Sequence, residues 1–166
     1  MSVKIWPGPL SLWIWLQSDM EFRLITENKK QYLDLLLLAD EQESMVDKYL
    51  DAGEMFLCLD PGPVGECVVA DLGEGVFEIK NIATDPSVHG KGYGRALIEF
   101  VMDYYRGRCK NMLVGTGDSP LTVPFYEKCG FVRSHRIKNF FVDNYDHAIF
   151  EAGIQLVDMV YLCREH

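Results

Sequence analysis

Residues 78–95, EIKNIATDPSVHGKGYGR, constrain this chain more than any other stretch. A segment with strand character runs into Gly90, Gly92 and Gly94 at alternate positions, and a helix-periodic segment begins at once. Glycine admits tight backbone turns, so main-chain N–H groups can converge there, and the first turn of the following helix adds unpaired donors and a positive partial charge. A corner built this way cradles an anion, most naturally a pyrophosphate, and Lys91 and Arg95 add charge-assisted contacts. The same glycines also suit a plain strand-to-helix turn. Two common phosphate fingerprints are excluded: the third glycine of GxGxxG would fall at Arg95, and no Gly-Lys-Ser/Thr triplet follows. What remains is His89-x-x-Gly92-x-Gly94.

Around this corner the pattern alternates strands and helices. Residues 21–26 alternate as a strand, and Asn28 caps a helix with Tyr32, Leu35, Leu36 and Ala39 on one face. A second amphipathic helix covers 41–50 and stops at Gly53. Strands follow at 55–59, 66–71 and 76–83, divided by the turn clusters DPGPVG and LGEG, whose shortness suits antiparallel hairpins. The clearest helix is 93–105, with Ala96, Leu97, Val101, Tyr104 and Tyr105 at helical spacing. A strand at 112–114, a short helix at 121–128 that Pro124 should kink or restart, and strands at 131–142 and 154–162 complete the chain. The order describes a mixed α/β sheet with helices on both faces.

Length and charge narrow the function. At 166 residues one domain is expected, and a net charge of -9 repels phosphate backbones and anionic lipid, so neither nucleic acid nor a membrane is an expected partner. The same charge favours cationic small molecules, with plain solubility as its other reading. Five cysteines, odd in number and never spaced as CxxC, argue against a disulfide framework and against a metal site, and for a reducing, cytoplasmic setting. Residues 1–19 stand apart: they hold all three tryptophans, and their apolar run from Leu10 to Leu16 is too short to span a bilayer. They are expected to be an extension, whether appended, from an upstream start, or packing on the domain or a second copy in a homodimer. The domain proper is expected at 20–166.

Downstream of the corner, Phe125-Tyr126-Glu127-Lys128-Cys129-Gly130-Phe131 follows the strand at 112–114. With the glycine corner in this order and at this separation, residues 21–166 resemble the GNAT superfamily of acyl-CoA-dependent N-acetyltransferases, whose loop reads Q/R-x-x-G-x-G/A and whose later helix reads FYEKxGF. The resemblance implies a mostly antiparallel, twisted sheet of about seven strands. It implies acetyl-CoA as co-substrate, with the main-chain N–H groups of Gly90, Lys91, Gly92, Tyr93, Gly94 and Arg95 on its pyrophosphate. Ile82, Ala83 and Thr84 would pair their backbone with the pantetheine arm, and an N–H near Ile82 or Ala83 would meet the oxyanion.

Two side chains carry chemistry by the same resemblance. Tyr126 matches the tyrosine that protonates the departing thiolate, a task that suits a phenol neutral at pH 7; packing alone is the other reading, as it is for Phe125 and Phe131. Glu78, eleven residues before His89, matches the carboxylate that deprotonates the incoming amine, which has no lone pair until it loses a proton. A strand carboxylate paired with Lys80 is its other reading. The sequence departs from the family pattern at His89, where Gln or Arg is usual, and at Ser119, where a cofactor-contacting Asn is common and a hydroxyl would substitute. The acceptor, a small-molecule or protein amine, is implied to meet the first two helices and the last interstrand loop, with Asp40, Glu41 and Glu43 and residues 143–147 as its rim. No cysteine has a nucleophile motif, so direct transfer in a ternary complex is expected. A non-catalytic acyl-CoA-binding module is the alternative.

Overall fold

The structure is a computed structural model that describes residues 19–166; apart from Asp19, the 1–19 segment lies outside the described residues. Nine strands form among the described residues: β1 Glu21–Ile25, β2 Glu54–Leu59, β3 Pro63–Gly73, β4 Val76–Thr84, β5 Asn111–Gly117, β6 Val132–Ile137, β7 Phe150–Glu151, β8 Ile154–Gln155 and β9 Met159–Glu165. The helices are α1 Leu33–Ala39, α2 Glu43–Val46, α3 Tyr93–Tyr104, α4 Thr122–Lys128 and α5 Phe140–Asn144. Seven strands hydrogen-bond in the order β1-β2-β3-β4-β5-β9-β6, and β7-β8 make a separate hairpin. The pairs β1/β2, β2/β3, β5/β9 and β6/β9 are antiparallel and β4/β5 is parallel. The expected mixed, mostly antiparallel sheet of seven strands is therefore what forms.

The described residues group into two compact units, one of 19–70 with 81–103 and one of 71–80 with 104–166. In the first, strand β2 is buried on both faces. Its odd positions Met55, Leu57 and Leu59 pack with Leu36 of α1, Val46 of α2, Leu50 and Val68. Its even position Phe56 meets Phe100 of α3 edge-on at 5.5 Å, and Phe22 of β1 stacks on the same ring at 4.5 Å. Period-2 alternation on β2 thus meets helices on both faces, and burying each of these side chains contributes roughly 1.5–3 kcal/mol. In the second unit Phe77 of β4 packs on Tyr105 at 4.5 Å, and Phe141, Ile149 and Leu156 form a smaller cluster.

Several local expectations are corrected. The helix at 41–50 is only Glu43–Val46, because Lys29 Nζ donates to the Leu50, Asp51 and Gly53 carbonyls and holds the following residues in turns. Asn28 does not cap with its side chain; it takes φ +51° and opens a 3-10 turn before α1. Pro124 does not kink α4, since it stands in the first turn, where an N–H has no helical partner to lose. The strand expected over 131–142 ends at Ile137 and turns at Asn139, φ +57°, into α5. Ile154 belongs to the β7-β8 hairpin rather than to β9.

Candidate active site

The glycine corner lies in the first unit. Gly90 and Gly92 have φ of +74° and +88°, and a Cβ at either would meet nothing within 4 Å. Backbone conformation, not crowding, therefore demands glycine there. Asp85 ends β4 by accepting from both the N–H and the hydroxyl of Ser87, which hold its carboxyl below the usual range. Val88 N–H then donates to the Asp85 carbonyl and Lys91 N–H to the Val88 carbonyl. Among the described residues the main-chain N–H groups of Gly90, Gly92, Tyr93, Gly94 and Arg95 make no hydrogen bond. Five of the six donors named from the sequence thus remain available at the N-terminus of α3, while that of Lys91 is used within the turn.

Side chains brace this corner. His89 Nε2–H donates to the Thr84 carbonyl at 3.0 Å, so the imidazole that replaces the usual Gln or Arg is folded back on the end of β4. The Tyr93 hydroxyl donates to Asp60 Oδ2, and this bond pushes the phenol up to about 12. Lys91 and Arg95 are exposed. The parallel ladder of β4 with β5 runs from Val76↔Asn111 to Ile79↔Val114, and Ile82, Ala83 and Thr84 lie past its last rung.

In the second unit Glu78 is 7% exposed. Its Oε1 accepts from the Tyr161 hydroxyl at 3.0 Å and from Lys80 Nζ at 3.2 Å. The sequence anticipated the Lys80 pair and missed Tyr161, which sits 83 residues away and is brought close only by the β5-β9 pairing. Tyr126, also buried, stands on α4 with its ring edge-on to Phe125 at 5.2 Å and Phe131 at 5.9 Å. Phe131 is core, whereas Phe125 is half-buried. Ser119 is 3% exposed, and its hydroxyl accepts from the Leu121 N–H at 3.1 Å ahead of α4.

A buried polar group in the first unit went unread in the sequence. Asn81 Nδ2 donates to the Leu36 carbonyl at 3.0 Å and to the Tyr49 hydroxyl at 2.9 Å, and that hydroxyl donates to Asp40 Oδ2 at 3.1 Å. Asp40 is thereby tied inward, and Glu43 pairs with Lys30 at 2.9 Å. Glu66 is fully buried, with neither carboxylate oxygen hydrogen-bonded, and burial pushes it up to about 8 against a smaller opposing pull from the Ala83 main chain. A lone acid inside the apolar run GECVVA was its one visible signal. An open cleft of about 370 Å³ in the same unit is lined by Tyr32, Asp34, Leu35, Leu38, Pro63 and Asp85 among others. Among the described residues no cluster of His, Cys, Asp and Glu is arranged to hold a metal ion, and no helix is long and apolar enough to cross a membrane.

Comparison with known proteins agrees with this geometry. The family model described as an acetyltransferase (GNAT) domain matches residues 51–133, a span that begins just before β2 and takes in the glycine corner and α4. The uncharacterized N-acetyltransferase YvbK of Bacillus subtilis is 34% identical over 146 residues, covering 86% of this chain and 94% of that protein. A GNAT family acetyltransferase from Elizabethkingia anophelis, solved with acetyl-CoA bound, superposes with a TM-score of 0.84 at 33% identity, over 89% of this chain and 99% of that one. A Bacillus subtilis acetyltransferase in complex with CoA gives 0.80 at 33% identity, over 89% and 99%. Family model, relative and fold together define an acetyl-transferring enzyme. This chain belongs to the GNAT family of N-acetyltransferases.

Proposed function

We propose that this enzyme transfers the acetyl group of acetyl-CoA directly to a primary amine within a ternary complex. The observation that carries the reading is the row of uncommitted N–H groups at Gly90, Gly92, Tyr93, Gly94 and Arg95, aimed by two positive-φ glycines. These donors suit a pyrophosphate. The acetyl-CoA and CoA bound in the two neighbours of 33% identity support the same ligand here. Ile82, Ala83 and Thr84, beyond the last rung of the β4-β5 ladder, are assigned to the pantetheine arm and the oxyanion. Ser119, with its hydroxyl engaged by Leu121, is assigned a lesser cofactor contact.

Glu78 is assigned as base. Both of its donors converge on Oε1, so Oε2 is the oxygen that takes the proton of the amine, directly or through water. Tyr126 supplies the proton to the departing thiolate. The acceptor is read as cationic: the net charge is -9, and the charged groups of the 370 Å³ cleft, Asp34 and Asp85, are both carboxylates. A cytoplasmic setting fits five cysteines that all stand as free thiols.

The test is thiol release from acetyl-CoA with a panel of spermidine, L-lysine, kanamycin, glucosamine 6-phosphate and an amino-terminal peptide. Amine-dependent release that saturates in both substrates, without a burst of acetyl-enzyme, is expected. Binding of acetyl-CoA without release for any amine would replace the enzyme with a binding module. A stoichiometric acetyl-enzyme would refute direct transfer.

A further inference from the structure

The parts around Glu78 show how its carboxylate is oriented. Tyr161 of β9 is the registered partner of Gly115 on β5 in their antiparallel pair. A Cβ at Gly115 would come within 3.0 Å of Tyr161 Cζ and 2.7 Å of Met159 Sδ, so the ring lies over the space that a side chain would fill. His135 of β6 stacks on the same ring, with centroids 4.6 Å apart and planes 5° from parallel. The phenol is thus confined by a missing side chain and by an imidazole, and its hydroxyl ends 3.0 Å from Glu78 Oε1. Burial and the Glu78 charge hold its pKa well above the ordinary phenol value, which keeps it a donor.

We propose that Tyr161 is a positioning residue: held by Gly115 and His135, it pins Oε1 of Glu78 and so presents Oε2 to the incoming amine. The inference rests on the reading of Glu78 as base. Lys80 donates to the same oxygen, but its side chain is 29% exposed and stands on a flexible four-carbon stem, so it adds charge while Tyr161 sets the angle. Two donors on one oxygen of a carboxylate fix its rotation and leave the other oxygen's lone pairs for a proton. No sequence motif carries this arrangement, since its members come from β4, β5, β6 and β9.

The test is a double-mutant cycle on the full-length enzyme, using thiol release from acetyl-CoA with the fastest amine of the panel or, should none be turned over, with water as acyl acceptor. Glu78→Gln is expected to lower kcat on the order of a hundredfold. Tyr161→Phe keeps the stacked ring and is expected to lower kcat about tenfold, with the amine KM and the acetyl-CoA affinity within about twofold of wild type. In the Glu78→Gln background the second substitution should cost less than about twofold, because a residue acting through Glu78 has nothing left to orient. An unchanged kcat in Tyr161→Phe, or the same tenfold loss in both backgrounds, overturns the proposal. A Glu78→Gln enzyme of full activity instead overturns the assignment of the base. Crystal structures give a readout independent of turnover: a Glu78 carboxylate rotated in Tyr161→Phe supports the proposal, and an unmoved one refutes it.

Discussion

Replacing Glu66 by Gln should make the protein less sensitive to alkali. The Glu66 carboxyl ordinarily titrates at 4.5 and is pushed up to about 8 by complete burial. Between these values the folded protein holds a proton that the unfolded chain has released, so this group's contribution to stability falls as pH rises through that window. A tenfold difference in proton affinity between the two states corresponds to about 1.4 kcal/mol. From about pH 5.5 to about pH 8 the wild type should therefore lose about 3 kcal/mol through Glu66 alone. Gln has nearly the same shape and no proton to lose. With a urea slope of about 2 kcal/mol per molar, the midpoint of Glu66→Gln relative to wild type should move upward by about 1.5 M across that interval. Equilibrium urea unfolding of both proteins at the two pH values reads this directly. Parallel pH profiles would refute the reasoning, since they would mean that Glu66 is charged and accommodated in the fold.

Asn81→Leu should lower stability by about 2–3 kcal/mol in the same assay, because the Leu36 carbonyl loses a donor and the Tyr49 hydroxyl loses the Asn81 amide that donates to it. Tyr126→Phe should leave acetyl-CoA affinity within about twofold while kcat falls on the order of a hundredfold, measured by thiol release; loss of binding instead would make the residue structural. Gly115→Ala should depress kcat in the direction of Tyr161→Phe, since its methyl would lie 3.0 Å from Tyr161 Cζ, and circular dichroism of the variant checks that the fold is retained.

Where local pattern decides structure, the sequence was readable. The strand expected at 76–83 is Val76–Thr84, and the helix expected at 93–105 is Tyr93–Tyr104, because alternation on one side of the glycines and helical spacing on the other admit little else. The C-terminal third was misread because its turns are set by distant partners. Asp158 accepts from the Asn139 N–H at 2.9 Å and from Arg136 at 2.9 Å, which breaks an otherwise strand-like run and starts α5. Phe141 is then buried with Ile149 and Leu156, a cluster whose members lie up to fifteen residues apart in the chain.

The site divides in the same way. The corner is legible because its donors are consecutive main-chain groups, and Glu78 is a candidate through an offset from them that the family resemblance supplies. Tyr161 and His135 could not, because β9 lies between β5 and β6 only through a sheet order that the chain order does not announce. Asn81 and Tyr49 likewise meet through pairing and burial rather than spacing.

The central claim, that main-chain amides at the glycine corner hold the diphosphate of acetyl-CoA, is tested most directly by titration calorimetry with CoA on the wild type and on Gly92→Val. Gly92 has φ +88° and a Cβ there would meet no protein atom within 4 Å, so a β-branched residue strains the backbone without crowding its neighbours. Saturable binding to the wild type, weakened at least about tenfold in a variant that still unfolds cooperatively, is the result predicted. Equal affinity in the two proteins, or no heat with the wild type, would contradict it.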